Sequence, residues 1–282
     1  MRVAYLGPAG TYSEEALRAS SPAGVEELPY ATIYQAVMAV QAGAVDRAVV
    51  PIENALEGAV AATLDTLATE ADGVRIAAEV VHPIHHCVIS AGPLSFADVS
   101  RVVSHPQATA QCARFLRERL PHAELITAPS TADAVLSLRD ASEPSLALGS
   151  RLAAELYGCS VLEADVEDHP DNATRFVWLA PAGEVAEPDP NGAKTSLVFW
   201  GGGDMSPGWL VGVLGELAGR GVNLTRIESR PRRIRLGHYM FFADLEGAAE
   251  RPPVSDALAA LRRRVEEVRI LGSYTGVRGP PG

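Results

Sequence analysis

Through the first 180 residues, short β-branched runs alternate with segments of helical spacing, and that alternation restricts the chain to an α/β fold with a mostly parallel sheet. Residues 3–6 read as a strand, with a helix from about Ser13. Ile33, Ala36, Val37 and Val40 recur at helical spacing, so 32–43 reads as an amphipathic helix closed by Gly43. The theme repeats as strand 48–50 with helix 58–67, strand 101–103 with helix 106–119, strand 125–127 with helix 131–139, and strand 146–148 with helix 151–157. One extended stretch, 75–90, breaks the rhythm. It carries Ile76, Val80, Val81, Ile84, Val88 and Ile89 without helical spacing and is too long for one ordinary strand. It reads as a crossover between two lobes, with a return near 161–165 that puts strand 175–179 back in the first. Lobe one is then about 1–77 and 162–180, and lobe two about 78–161. Two lobes joined by two crossings enclose a cleft, a common place for a small ligand.

A stretch rich in proline and acid and poor in apolar residues, 181–194, reads as a linker, with Pro181, Pro188, Pro190 and Gly192. Beyond it, 195–275 has its own order: strand 196–200, helix 207–220 ended by Gly221, strands 222–230 and 237–246, helix 255–264 and strand 268–271. That is βαββαβ, the ferredoxin-like arrangement, which by itself names no function.

Composition removes several classes. Apolar residues at 47% and charged residues at 21% are those of a globular chain, not of a disordered one. No run approaches the roughly 18 apolar residues of a membrane span. The N-terminus runs straight into a strand, without the apolar core and cleavage site of a signal peptide, so a cytoplasmic protein is expected. Three widely spaced cysteines, Cys87, Cys112 and Cys159, fit neither a disulfide framework nor a metal knuckle. A net charge of −11 argues against nucleic acid and requires that any anionic substrate be held by a few placed donors.

Four polar segments mark strand ends, where open α/β sheets bind ligands. In Gly7-Pro8-Ala9-Gly10-Thr11-Tyr12-Ser13-Glu14, Thr11 and Glu14 have capping-box spacing, Ser13 is a second candidate cap, and free backbone N–H groups favour an anion. The bland alternative, a capped helix without a ligand, is equally compatible with the spacing. Pro51-Ile52-Glu53-Asn54 precedes the next helix, with Glu53 and Asn54 on the same rim. Ser104-His105-Pro106-Gln107 again has capping-box spacing from Ser104 to Gln107. In Asp171-Asn172-Ala173-Thr174-Arg175-Phe176, Arg175 is the only cation of the four segments and can grip a carboxylate by two parallel bonds. On a strand His82 and His86 share a face while His85 points away, which is poor metal geometry and favours hydrogen-bonding roles. His105 sits within a candidate site. Five arginines lie between Arg226 and Arg235, where the plain reading is a solvated hairpin edge.

Taken in order, Gly7-Pro8-x-Gly10-Thr11-x-Ser13, Pro51-Ile52-Glu53-Asn54, Ser104-His105-Pro106-Gln107-Ala108 and Thr174-Arg175-Phe176 resemble prephenate dehydratase. Gly221-Val222-Asn223-Leu224-Thr225-Arg226-Ile227-Glu228-Ser229-Arg230-Pro231 and 239–247 resemble its C-terminal ACT regulatory domain. The resemblance implies a catalytic region similar to two-lobed periplasmic binding proteins and conversion of prephenate to phenylpyruvate with loss of carbon dioxide and water. It implies no metal and no organic cofactor. It assigns catalysis to Thr174 and Arg175, and substrate binding to Thr11, Ser13, Glu53, Asn54, Ser104, His105, Gln107 and Phe176. It implies phenylalanine control through Gly208, Trp209, Leu210, Asn223, Leu224, Glu228 and Ser229, and self-association through the ACT domain as a dimer or tetramer. Two positions depart from the family's pattern. Ala55 stands where a serine is usual, which removes a hydroxyl donor. Trp209 stands where a small residue is usual, which fills part of the phenylalanine pocket. Arogenate dehydratase, acting on the amine analogue, and a non-catalytic two-lobed sensor are the alternatives.

Overall fold

The computed structural model describes residues 1–203 and 206–276. The chain opens with β1 (Arg2–Leu6), α1 (Tyr12–Ser20), β2 (Glu26–Tyr30), α2 (Ile33–Gln41), β3 (Arg47–Asn54), β4 (Gly58–Ala59), α3 (Ala61–Thr69) and β5 (Val74–Pro83). It continues with β6 (Cys87–Ser90), β7 (Arg101–Ser104), α4 (Pro106–Gln111), α5 (Ala113–Arg119), β8 (Glu124–Thr127), α6 (Thr131–Ser137), β9 (Ser145–Gly149), α7 (Arg151–Tyr157), β10 (Ser160–Glu163) and β11 (Ala173–Pro181). The last stretch is β12 (Ala193–Trp200), α8 (Trp209–Ala218), β13 (Leu224–Pro231), β14 (Tyr239–Glu246), α9 (Val254–Leu261) and β15 (Glu267–Thr275). The architecture is mixed α/β followed by a βαββαβ module.

Three sheets carry it. The first has the order β2-β1-β3-β11-β5, with β4 on β3; the second is β10-β6-β9-β7-β8; the third is β13-β14-β12-β15. β1 and β2 pair in parallel, as do β7 with β8 and with β9, whereas β6 runs antiparallel to both β9 and β10. The long extended segment is therefore two strands, β5 and β6, that belong to different sheets, with the break at 84–86. The expected helix 106–119 is also two, α4 and α5, because the backbone leaves helical geometry at Cys112 (φ −114°, ψ 22°). The linker's last residues, Ala193 and Lys194, already belong to β12.

By internal packing the chain divides into two compact units, one of residues 1–36, 53–58 and 81–176, the other of 37–52, 59–80 and 177–282. In the first unit, Val135, Ile89 and Ala147 centre one apolar cluster and Leu116, Leu146 and Leu148 another. Burial of such side chains supplies roughly 1.5–3 kcal/mol each. In the second, Phe199, Val213, Leu245, Leu258 and Leu261 form the core of the βαββαβ module. Cys87 and Cys112 are buried and Cys159 half-buried, all unpaired, and burial pushes each thiol up in pKa. They are packing residues, protonated and unreactive. Among the described residues no helix is long and apolar enough to cross a membrane.

Candidate functional site

The site is built outward from Asn54, the last residue of β3. Its Oδ1 accepts the backbone N–H groups of Leu56 and Glu57, each at 3.0 Å. Those amides can only donate, so they fix which end of the carboxamide is oxygen. Nδ2 must face the other way, where its two hydrogens are shared among Asn172 Oδ1 (3.0 Å), Ala173 O (3.2 Å) and Thr174 Oγ1 (2.9 Å). Thr174 Oγ1 is thus an acceptor toward Asn54. Its own hydroxyl hydrogen has no acceptor among the described residues and remains available to a bound molecule.

The direction set at Asn54 passes inward. Asn172, its oxygen taken, donates through Nδ2 to Gln111 Oε1 at 3.1 Å. Gln111 Oε1 also faces His86 Nε2 at 3.0 Å, so that ring nitrogen carries the hydrogen. With its hydrogen on Nε2, His86 offers Nδ1 as an acceptor to the Tyr12 hydroxyl, 2.8 Å away, which also reaches His85 O at 2.8 Å. Burial holds the His86 pKa below its ordinary value of 6.5, despite the hydrogen bond to Gln111, and keeps the ring neutral. Gln111 Nε2 is buried and has no partner among the described residues, a second free donor in the same cluster. Asn54, Gln111, Asn172, Thr174 and His86 are each 8% exposed or less. Buried polar groups at that density are satisfied by one another or by a ligand.

Adjacent residues on a strand point to opposite faces. On β11, Thr174 and Phe176 are buried while Arg175 is half-buried. Glu53 and Asn54, expected on one rim, accordingly take different partners: Asn54 meets Thr174, and Glu53 Oε2 pairs with Arg175 Nη1 at 3.2 Å. Phe176 is buried and sets its ring edge-on to His82, 6.4 Å between centroids.

The glycine-rich turn after β1 is clamped in place. Gly10 adopts φ +86°, and a Cβ there would lie 2.9 Å from Ala153 Cα, so only glycine fits. Ser150 Oγ donates to Gly10 O (2.8 Å), Tyr157 to Ala9 O (2.6 Å) and Thr11 Oγ1 to Leu6 O (2.8 Å). The expected capping box is altered: Thr11 is the N-cap of α1 but makes no side-chain cap bond, and Glu14 reaches back to the Gly10 N–H. Ser13 is buried on the first turn of α1. The second expected box also changes. The cap of α4 is His105, whose Nδ1 accepts from Gln107 N, while Ser104 Oγ donates to Leu148 O within the sheet. Ser104 Oγ and His105 Nδ1 are thus engaged in local structure.

The three crossover histidines are all hydrogen-bonded, His82 to Glu15, His85 to Glu167 and His86 as above. His86 lies beyond the end of β5, so the strand alternation expected to pair it with His82 does not apply. His85, Asp165 and Glu167 bring one potential metal ligand each within 4.8 Å of one another. Both Glu167 oxygens are already occupied, by the His85 ring and the His86 backbone N–H. Burial alone raises the Glu167 pKa, but those two bonds outweigh it and leave the carboxyl below the usual range.

In the C-terminal module, Gly208 caps α8 and Trp209 begins it. The indole lies against Phe199 and Phe241, 6.2 and 5.9 Å between centroids, and its N–H donates to Arg264 O at 3.2 Å. Leu210 and Leu224 pack on the core of the module. β13, which carries Glu228 and Ser229, is an edge strand with alternating exposure, and Asn223 just before it accepts from Glu246 N. The arginine-rich turn is not merely solvated: Arg230 grips Asp65 of α3 through two bonds (2.5 and 2.9 Å) and Arg233 adds a third (2.7 Å).

Residues 3–184 match the family model for prephenate dehydratase, and 196–263 match that for the ACT domain. The chain belongs to the prephenate dehydratase family. Prephenate dehydratase of Amycolatopsis methanolica is 42% identical over 278 residues, 99% of this chain and 90% of that protein. Among solved structures, a prephenate dehydratase from Arthrobacter aurescens in complex with L-Phe has a TM-score of 0.89 at 38% identity, covering 98% of this chain and 90% of that one. GqqA, described as a novel type of quorum quenching acylase, has a TM-score of 0.87 at 34% identity, covering 98% of each.

Four site residues escaped the sequence reading: Tyr12, His86, Gln111 and Asn172. Asn172 lay within a quoted segment without being singled out. Tyr12 stands beside two chosen residues, and His86 is expected to hydrogen-bond, as it does, but without a place in the site. Gln111 closes the helix that His105 caps, and only burial distinguishes it.

Proposed function

We propose that the chain is a prephenate dehydratase of phenylalanine biosynthesis, working in the cytoplasm, where its unpaired thiols stay reduced. The observation that carries this reading is the Asn54–Thr174 hydrogen bond, which leaves a buried hydroxyl hydrogen aimed away from the protein's own acceptors. In the reaction the ring carboxylate departs as carbon dioxide. Its bonding pair becomes a ring double bond, and the ring C–O bond breaks. The departing hydroxide takes up a proton and leaves as water. Aromatisation drives the step, so the protein need only hold the dianion and stabilise the leaving oxygen. A Thr174 hydroxyl donating to that oxygen meets charge that develops only in the transition state. A hydrogen bond to a charged group is worth about 1.5–3 kcal/mol, or roughly 10- to 150-fold in rate. A threonine is too weak an acid for complete transfer to be its role. Gln111 Nε2 is the second donor. Arg175, held at its place by Glu53, supplies the cation for a substrate carboxylate, and Thr11 and Ser13 are assigned to substrate binding with it.

An acylase reading, raised by the likeness to GqqA, is less well supported. Acyl transfer needs a hydroxyl activated by a neighbouring base. The hydroxyls of Thr11, Ser104 and Ser150 donate to backbone oxygens, and that of Thr174, which accepts from Asn54, has no base beside it among the described residues. The test is a turnover assay with prephenate, with arogenate and an N-acyl amide in parallel. Phenylpyruvate formed from prephenate in clear preference supports the proposal, whereas preference for either other substrate overturns it.

We further propose that phenylalanine, the end product, binds the ACT module between Gly208-Trp209-Leu210 and Asn223, Leu224, Glu228 and Ser229, and that the module self-associates as a dimer or tetramer. The open edge of β13 and the exposed Ile227 (42%) support self-association, since an unpaired strand edge invites another copy.

A further inference from the structure

We propose that Tyr12 and His86 are positioning residues that keep the Thr174 hydroxyl a donor, by fixing the far end of the carboxamide relay through Gln111 and Asn172. The inference rests on the dehydratase reading and extends it to two residues that do not touch the reacting atoms. A series of carboxamides can run in two directions, because oxygen and NH2 have nearly the same size and a flip costs little in packing. Direction matters here. Run as described above, the series ends with Asn54 donating to Thr174 and the threonine proton free. Reversed, it would present an oxygen to Thr174, and the hydroxyl would spend its hydrogen inside the protein.

The near end is pinned by the backbone amides of Leu56 and Glu57. The far end depends on which nitrogen of neutral His86 bears hydrogen. With hydrogen on Nε2, the ring donates to Gln111 Oε1, and that oxygen also receives Asn172 Nδ2. With hydrogen on Nδ1, Nε2 becomes an acceptor and calls for the Gln111 NH2 group. A turned Gln111 then sets donor against donor at Asn172, and the conflict travels to Asn54. Tyr12 makes the choice. Its single hydroxyl hydrogen lies between two acceptors, His85 O and His86 Nδ1, each 2.8 Å away, and it supports the Nε2–H form only in so far as it goes to Nδ1 rather than to the carbonyl. The rings meet edge-on, 5.6 Å apart at 82°, which holds the imidazole in the plane this requires. The main chain also fixes the middle of the relay: Gln111 O accepts from Asp168 N at 2.7 Å, and Asn172 O from Ile84 N at 2.9 Å.

The experiment compares Tyr12→Phe, His86→Gln and His86→Leu in the full chain, with prephenate as substrate and nitrogen-15 spectra of the imidazole recorded without substrate. Tyr12→Phe keeps the ring and removes only the hydroxyl. The expected results are an Nε2–H tautomer in the wild type, a mixture of tautomers in Tyr12→Phe, and a fall in its kcat of about tenfold with KM within about twofold, the effect of one neutral hydrogen bond. His86→Gln, whose amide nitrogen can take the place of Nε2, should recover most of what His86→Leu loses. A wild-type Nδ1–H tautomer, or a Tyr12→Phe kcat within twofold of wild type, overturns the proposal. So does a His86→Gln variant as impaired as His86→Leu. If His86→Leu does not fold, Tyr12→Phe and the spectra decide alone. A wild type inactive on prephenate refutes the dehydratase reading instead, and the tautomer still reports on the relay.

Discussion

Asn54 serves two partners with one carboxamide, and substitutions there separate packing from chemistry. In Asn54→Asp the side chain can still accept from Leu56 and Glu57, but its second oxygen takes the Thr174 hydrogen. Steady-state kinetics should show kcat lower by about 100-fold or more, within the range of a lost proton donor, and the thermal midpoint should fall too, because the buried carboxylate would face the acceptors Asn172 Oδ1 and Ala173 O. Thr174→Val should be equally inactive, with Thr174→Ser retaining most turnover. Valine with turnover close to wild type would exclude the hydroxyl from the reaction. Because burial depresses the His86 pKa, the unfolded chain binds more protons than the folded one below its ordinary value of 6.5. Stability should therefore be full above pH 6.5 and fall as pH drops from there to the depressed folded value. Denaturant titrations across that window should show a slope that His86→Gln abolishes. Thr174 and Asn54 were legible from the sequence because they stand in recognisable segments. Tyr12, His86 and Gln111 were not, because a hydrogen-bond chain through positions 12, 54, 86, 111, 172 and 174 has no period. His105 stands in a recognisable segment, and its Nδ1 caps α4.

Elements tell a similar story. The strongly alternating segments appear as expected, whereas β2 was missed because Glu26-Glu27-Leu28-Pro29-Tyr30 has no β-branched residue. It sits at the sheet's edge, paired only with β1, where a proline costs no ladder bond. Within the second unit, Asp65 on α3 gathers Arg230 and Arg233, and Glu79 on β5 holds Lys194 at 2.6 Å. Asp65 and Arg230 have side chains only 16% and 17% exposed, so this fork is shielded enough to matter. Asp65→Ala should cost about 1–3 kcal/mol, lowering the melting midpoint by about 2–4 °C per kcal/mol. An unchanged midpoint would make the fork a surface pair of no consequence. α3 also donates from Thr63 Oγ1 to Pro51 O, three residues before Asn54, so the variant's response to phenylalanine is a natural second readout.

At the scale of the whole molecule, a chain of net charge −11 can hold a dianion only through local donors, and the proposed site offers neutral amides, a hydroxyl and one arginine. That much was legible, since the charge balance is a property of composition. The regulatory half was less so, because the consequence of Trp209 depends on where its ring turns. It turns onto Phe199 and Phe241 of its own module. Phenylalanine should inhibit turnover and, at 100 times its dissociation constant, stabilise the native state by about 2.7 kcal/mol, read as a rise in melting midpoint. Neither effect at millimolar phenylalanine would mean that Trp209 has closed that site.

The turn after Asn54 carries a further consequence, for how such chains diverge. Leu56 and Glu57 orient the key carboxamide with their backbone N–H groups, which every residue except proline possesses. The side chains of Ala55, Leu56 and Glu57 are all exposed. Gly58, at φ +79°, is the one position in the turn with a conformational demand. Lineages are thus free to drift at 55–57 without losing the geometry, and Ala55 in place of the usual serine is one record of that freedom. A library randomised at these three positions should return active clones of nearly any composition that omits proline, since the Ala55 N–H also donates to Ala173 O at 2.9 Å.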